Sequence, residues 1–138
     1  MEQKATTETK PAGYKVVNVL LLESSFTRVL DVDIQIIHDI DNKIQVEPEA
    51  HESTPDQKFA VTLSIKYEGI QNEKNICSAS IKMLGIFEKY GEPSLDEEKF
   101  KLINAPAIIY PFIREHLYNI CLRAGIANVL LPTVNFKP

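Results

Sequence analysis

The stretch NAPAIIYPFIREHL, residues 104–117, decides the fold, and it continues as YNICLRAG to residue 125. Its apolar side chains recur at helical spacing and form one stripe: Ile109, Phe112, Ile113, Leu117, Ile120 and Cys121. Pro106 suits the first turn of a helix that begins at Asn104 or Ala105. Pro111 removes an internal hydrogen bond, so we expect either a kink there or a helix start at Tyr110. Gly125 is a natural C-terminal stop.

Upstream of this helix, apolar and polar residues alternate along the chain, as they do in β-strands. Residues 58–68 show a period of two, which places one apolar set on a single face: Phe59, Val61, Leu63, Ile65 and Tyr67. A turn over residues 69–74 leads into a second strand, residues 75–87, whose apolar face carries Cys77, Ala79, Ile81 and Met83. The two strands predict a hairpin.

A first strand over residues 14–26 is apolar on both faces. Val17, Val19 and Leu21 lie on one side, and the other side carries Val16, Leu20, Leu22 and Phe26. Such a strand is normally covered on both sides or paired with another chain. Residues 27–42 alternate again and predict either an extension of this strand or a crossover, and residues 43–49 predict a short strand. Ser94 is expected to cap a short helix before the main one.

This order predicts an α+β fold, in which a four-stranded antiparallel sheet has the long helix and the short preceding helix on one face. The 138 residues indicate one domain, residues 14–138, after a disordered tail of residues 1–13. The net charge of −4 argues against nucleic acid as a partner. No apolar run approaches the roughly 20 residues that span a bilayer, so membrane insertion is not expected. Two cysteines without a disulfide framework favour a reduced, cytoplasmic setting.

No residue pattern indicates catalysis or a cofactor. His38, His51 and His116 lie on three different elements, and no cysteine or carboxylate joins them at metal-ligand spacing. Four aspartates within residues 31–41 lack the glycine and the terminal glutamate of a calcium loop. Phosphate loops and hydrolase elbows are absent from the sequence. We therefore expect no enzyme, no metal and no cofactor.

The C-terminal third resembles the SecB family of preprotein-export chaperones. The similarity includes the pattern Tyr110-Pro111-Phe112-Ile113-Arg114-Glu115, the Arg123-Ala124-Gly125 ending and the Pro132-Thr133-Val134-Asn135-Phe136 loop. Ser25-Phe26 in the first strand and Gly85-Ile86-Phe87 in the fourth are also similar to the family pattern. The stretch of residues 27–42 does not align with the family.

The resemblance implies an ATP-independent holdase that binds unfolded or precursor polypeptides and passes them to the SecA motor. It also implies a homotetramer, built as a dimer of dimers. The two-sided strand and the helix predict the oligomer interface: Val17, Val19, Leu21, Ile109, Phe112, Ile113, Arg114, Glu115 and Ile120. Apolar residues of the crossover predict the client-binding surface: Leu30, Ile34, Ile36, Ile37 and Ile40. An alternative for these crossover residues is a longer first strand packed on the core.

The match to the family's SecA docking surface is incomplete. Glu23 keeps one acid of the docking strand, whereas Thr27 stands in the place of the other, and Ser78 and Ser80 occupy the fourth strand. The chain reaches Pro138, where the family continues into a second helix and an acidic tail. Chaperone binding is therefore expected more strongly than SecA-linked export. The alternatives are a dedicated chaperone of one partner, such as an antitoxin, and an oligomeric assembly domain that is not a chaperone.

Overall fold

A computed structural model describes residues 11–30, 40–126 and 129–136. Its elements are β1 (Gly13–Arg28), β2 (Asp41–Ala50), β3 (Lys58–Gln71), β4 (Lys74–Tyr90), α1 (Glu97–Lys99), a π-helical segment (Phe100–Asn104) and α2 (Ala105–Arg123). The strands form one antiparallel sheet in the order β1-β4-β3-β2. This confirms the predicted α+β fold. Residues 1–10, which hold most of the predicted tail, lie outside the described residues, and β1 begins at Gly13.

The hydrophobic core lies between α2 and one face of β3 and β4, which we call the inner face. The predicted alternating set of β3 is buried there, and so is the set predicted for β4. From α2, the core receives Ile109, Ile113, Leu117 and Cys121, each with no exposed surface. The apolar stripe of α2 and the apolar faces of β3 and β4 therefore pack against each other.

The prediction that the side chains of β1 alternate regularly between two faces is wrong. The pairing register with β4 shifts between Val16 and Asn18 and again between Leu21 and Glu23. An extra residue at such a bulge moves the following side chains to the other face of the sheet. One face of β1 therefore carries the partners of the inner residues of β4: Val16, Val19, Leu21, Ser24 and Phe26. The other face carries Asn18, Leu20 and Glu23.

The helical region is longer than the sequence pattern indicates. α1, the π-helical segment and α2 follow one another without a break from Glu97 to Arg123. The residue before α1 is Asp96, whose side chain makes no capping hydrogen bond, so the prediction of Ser94 as the cap is wrong. α2 begins at Ala105 and runs through Pro111, which excludes a start at Tyr110. The wider π turn ends just before Pro106, whose ring fits poorly in an ordinary turn.

An aromatic cluster and a buried lysine hold the start of this helical region on the sheet. Phe100 packs edge-on against Phe59 and Phe87, and it stacks on Tyr14 of β1 with the ring centroids 4.2 Å apart. Lys101 is buried, with its Nζ 3.0 Å from Glu97 Oε2 and 5.2 Å from the centre of the Phe59 ring. These contacts use residues from three strands, so they fix where α2 starts.

We expect Ile113→Ala to lower the free energy of unfolding by about 2–5 kcal/mol, because the side chain is fully buried and its loss leaves a cavity. Leu102→Ala is the matched control, since Leu102 is 45% exposed and its loss is expected to cost less than about 1 kcal/mol. Urea unfolding at one fixed protein concentration measures both changes. Equal losses in the two variants would contradict the assigned core.

Candidate functional site

The outer edge of β1 is an open sheet edge lined by apolar side chains. β1 pairs only with β4 among the described strands, so the backbone groups of its other edge are available for pairing. Five of its apolar residues are between 40% and 52% exposed: Val16, Val17, Leu20, Leu21 and Leu22. The opposite edge strand, β2, carries Pro48 and alternating charged side chains, which block edge pairing. The two edges therefore differ, and β1 is the one suited to accept another strand.

Contacts with α2 hold β1 in place. Ser24 Oγ and His116 Nε2 lie within hydrogen-bonding distance at 2.8 Å. Arg28 donates hydrogen bonds to the carbonyl oxygens of Val29 and Ala124, and Ala124 follows the last residue of α2. A cation at a helix C-terminus is electrostatically favourable. Hydrogen bonds to α2 and to its C-terminal end therefore hold β1 in place, while its outer edge stays exposed.

A second apolar surface lies on α2, on the side that does not face the sheet. We call it the helix flank, and its members share one side of the helix by their spacing: Ile108, Pro111, Phe112, Tyr118 and Leu122. Phe112 is 47% exposed and Leu122 is 45% exposed. A cleft of about 320 Å³ lies beside it, lined by Pro111, Arg114, Glu115, Tyr118 and Leu130. Exposed apolar patches of this kind commonly mark interaction sites.

The C-terminal segment, residues 129–136, packs on the same helix. The Tyr110 hydroxyl donates a hydrogen bond of 2.6 Å to the carbonyl oxygen of Pro132, and the Phe136 ring packs edge-on against the Tyr110 ring. Val129 and Leu131 are buried, whereas Leu130 between them is 67% exposed. The sequence contains no sign of this alternation, because Val129, Leu130 and Leu131 are all apolar, and it contains no sign of the surface on α2 that covers two of them.

The predicted interface residues fall into three groups. Val17, Leu21, Phe112 and Glu115 are exposed, and Val19, Arg114 and Ile120 are half-buried. Ile109 and Ile113 have no exposed surface, and they pack inside the protomer against the sheet. The Arg114 guanidinium lies 5.9 Å from the centre of the Tyr110 ring. Of the exposed members, Val17 and Leu21 belong to the β1 edge and Phe112 to the helix flank, and Glu115 lines the cleft beside that flank.

The predicted client-binding residues are only partly described. Leu30 follows β1 and is 97% exposed. Ile40 directly precedes β2, is half-buried and packs against the core. Ile34, Ile36 and Ile37 lie outside the described residues. The structure therefore separates Leu30, which is open to a partner, from Ile40, which belongs to the core boundary.

Comparison with known proteins now identifies the family. The model of the family described as preprotein translocase subunit SecB matches residues 24–138. The chain belongs to the SecB family. Protein-export protein SecB of Anaplasma phagocytophilum is 29% identical over 97 residues, which cover 68% of this chain and 61% of that protein. Its counterpart in Aromatoleum aromaticum is 27% identical over 126 residues, 86% of this chain and 79% of that protein.

A solved structure shares the fold. It is a SecB-like chaperone of Mycobacterium tuberculosis, determined in complex with a peptide of an antitoxin, and it covers 88% of each chain with a TM-score of 0.68. At 16% sequence identity, this likeness shows the fold alone. The chain spans less than two thirds of the length of the Anaplasma protein.

Glu23 and Thr27, which the resemblance to the SecB family predicts to lie on a SecA docking strand, are on the outer face of the sheet, which faces away from α2. Glu23 is exposed and stands opposite Lys82 of β4. Thr27 stands opposite Ser78, and Ser25 opposite Ser80, beside a cleft of about 240 Å³ that Lys66 and Glu68 also line. This part of the surface therefore has hydroxyl groups and charges of both signs.

Burial changes the acidity of both cysteine thiols. Burial raises the pKa of the Cys121 thiol to about 12, and burial also raises the pKa of Cys77. A thiol that stays protonated is a poor nucleophile and a poor metal ligand. The hydrogen bond from Ser53, followed by the contacts with Lys101, lowers the pKa of Glu97.

Within the described ranges, no group of histidine, cysteine and acidic side chains could hold a metal ion, and no helix is long and apolar enough to cross a membrane.

Proposed function

We propose that this protein is an ATP-independent holdase that binds unfolded or precursor polypeptides in the context of protein export. The exposed apolar side chains carry the proposal: Leu30 is 97% exposed, and apolar residues of the β1 edge and of the helix flank are about half exposed. A non-native polypeptide binds such surfaces by apolar contacts, which do not depend on its exact sequence. Membership of the SecB family supports the same activity.

We further propose a homotetramer built as a dimer of dimers. The β1 edge forms the contact within each pair of chains. The helix flank then forms the contact between the two pairs, and Leu30, which follows β1, stays open to clients. Val17 and Leu21 on the edge and Phe112 on the flank are exposed apolar residues, which supports this division. An apolar surface of that extent is rarely left uncovered in a monomer. Clients then compete for whatever apolar surface the assembly leaves open, including Leu30.

SecA is a weak partner in this proposal. Glu23 is the single acid kept from the family's docking strand, and it stands opposite Lys82, which offsets its charge. Thr27, Ser78 and Ser80 place hydroxyl groups where the family pattern has acids. Charged groups at an interface chiefly set the association rate and the choice of partner. A surface with offset charges therefore favours a transient complex.

A dedicated chaperone of one partner, such as an antitoxin, is the second candidate. The observation that favours it is the antitoxin peptide bound to the SecB-like chaperone from Mycobacterium tuberculosis, whose fold this chain shares. A dedicated chaperone protects its partner but fails with unrelated clients. An assembly domain without chaperone activity protects neither.

The first prediction from this proposal concerns assembly. Light scattering should give a mass near four chains, or near two if the dimers separate. Leu21→Lys should lower this mass because it places a charge in the middle of the β1 edge, and Phe112→Glu should do so at the helix flank. Leu102→Ala should leave the mass unchanged. A clean monomer of the unaltered chain at micromolar concentration would remove the proposed interfaces.

The second prediction concerns client capture. The purified protein should suppress the aggregation of an unrelated unfolded protein without ATP, and Leu30→Ser should weaken suppression severalfold, because Leu30 is 97% exposed. Its melting temperature should stay within a degree or two, as expected for an exposed site. Ile40→Ser is the contrasting variant, and it should lower the melting temperature because Ile40 packs against the core.

Three results would overturn parts of this prediction. No suppression of any unrelated client would leave the dedicated-partner function, and no protection of any client at all would leave the assembly domain. Full activity of Leu30→Ser would remove Leu30 from the client surface while leaving the holdase activity intact.

The third prediction concerns SecA. We expect weak binding that is measurable by fluorescence titration at low salt and lost at moderate salt, because exposed charges are screened. Thr27→Glu combined with Lys82→Ser should tighten it by roughly tenfold, since the pair restores an acid and removes the opposing cation. Tight binding by the unaltered chain would show that the mixed charges of the outer face do not govern docking.

A further inference from the structure

The outer face of the sheet carries four successive rows of side chains, each formed by residues in register on β1, β4 and β3. The rows begin at Lys15 and end at Ser64: Lys15, Glu88 and Lys58; then Asn18, Ile86 and Ala60; then Leu20, Leu84 and Thr62; then Glu23, Lys82 and Ser64. The two middle rows form a band in which four of the six residues are apolar, the exceptions being Asn18 and Thr62. On these three strands the charges lie in the two flanking rows, and on β2 the exposed Glu49 and Glu47 continue the third and fourth rows.

The band is accessible and nearly free of unsatisfied polar groups. Leu20 is 40% exposed, and Leu84, Ile86 and Ala60 are half-buried by their neighbours on the same face. The Thr62 hydroxyl lies 3.3 Å from His51 Nε2 and donates to the carbonyl oxygen of Glu49 at 3.4 Å, so it already has partners within the chain. A partner that covers the band therefore meets chiefly apolar surface.

On β1 and β4, the two flanking rows carry opposite charges at matching positions, so one rotation of a second copy brings opposite charges together. Along β1, Lys15 and Glu23 stand at opposite ends of the band, and along β4 their counterparts are Glu88 and Lys82, with the signs reversed. A twofold axis in the plane of the interface, parallel to the rows, places each flanking row over the other flanking row of a second copy. Lys15 then faces Glu23 of that copy, and Glu88 faces its Lys82.

The same rotation matches the apolar rows. It places Leu84 of one copy over Ile86 of the other, Leu20 over Asn18, and Thr62 over Ala60. A twofold axis parallel to the strands would instead place Glu88 over Glu88 and Lys15 over Lys58. Aligned sheets pack about 10 Å apart with a rotation of about 30°, which keeps the central strands in contact. Only one of the two orientations is therefore electrostatically favourable.

We propose that the outer face is a self-association surface, on which a second copy of this chain packs face to face through the Leu84 and Ile86 band and the Glu88–Lys82 contacts. The contact is isologous, so every pair occurs twice. It borders the β1 edge at Leu20 and is separate from the helix flank, and it uses side chains of the outer face rather than the backbone groups of the edge. It also competes with any partner that docks beside Glu23.

Sedimentation velocity tests this contact over protein concentrations from micromolar to near millimolar. The mass should rise with concentration above the value found in dilute solution, and the rise should weaken at high salt. Lys82→Glu should weaken the association by about tenfold, and Glu88→Lys should weaken it similarly, because each places like charges across the interface twice. The double variant Lys82→Glu with Glu88→Lys should recover most of the lost affinity.

The double variant separates this contact from effects inside one chain. Glu88 also lies 3.5 Å from Lys15 in the same chain, and Lys82 stands opposite Glu23. If only those contacts mattered, the double variant would be worse than either single one. Lys66→Glu is the control, since it reverses a charge on the same face outside the four rows.

Two results would overturn the proposal. One is a mass that stays constant up to near-millimolar concentration, and the other is a double variant that associates no better than the single variants. The first would leave the oligomer built by the β1 edge and the helix flank untouched, because that oligomer is already present in dilute solution. The failure of this surface and the failure of the proposed tetramer are therefore distinguishable.

Discussion

The packing of α2 against the inner face of β3 and β4 is the contact on which the rest of the structure depends. The buried stripe of the helix meets the sheet closely enough that a Cβ atom at Gly85 would lie 2.8 Å from Ile109 Cδ1. Glycine is therefore required at that position by space, although its backbone conformation is ordinary. Because one helix covers the two central strands, the edge strands and the outer face of the sheet are left for other partners.

The two edge strands differ in whether another strand can pair with them. β2 has Pro48 and charged neighbours, which natural sheets use to prevent pairing. β1 has a run of valine and leucine with register shifts at Val17 and Leu22, and bulges increase the local twist without removing the unpaired backbone groups. An edge of this kind is a liability unless something pairs with it. Pairing with a second chain, as in the proposed oligomer, covers both the backbone groups and the apolar side chains of this edge.

The buried polar groups hold the scaffold together. Lys101 is nearly inaccessible, yet it contacts Glu97, Glu98 and the Ser53 hydroxyl, which lies on the loop after β2. Breaking such a cluster costs more than the cluster contributes, because a partner is left buried without a counter-charge. At the other end of α2, Arg28 plays a similar part at the carbonyl oxygen of Ala124. The helix is thus fixed at both ends, and its flank is presented in a defined orientation.

The sequence by itself determined β3, β4 and the position of α2, because each of these has a clear apolar period of two or of 3.6 residues. The period of two in residues 58–68 predicted the buried face of β3, and this prediction is confirmed. Of the helical stripe, Ile109, Ile113, Leu117 and Cys121 are buried, as predicted, whereas Phe112 is exposed. Tertiary structure alone decided the faces of β1, since a bulge depends on the register with β4 and leaves no mark in the pattern. It also decided that Ile109 and Ile113 lie inside the protomer while Phe112 is exposed. A stripe shows which residues are apolar, but only the position of the sheet shows which of them it covers.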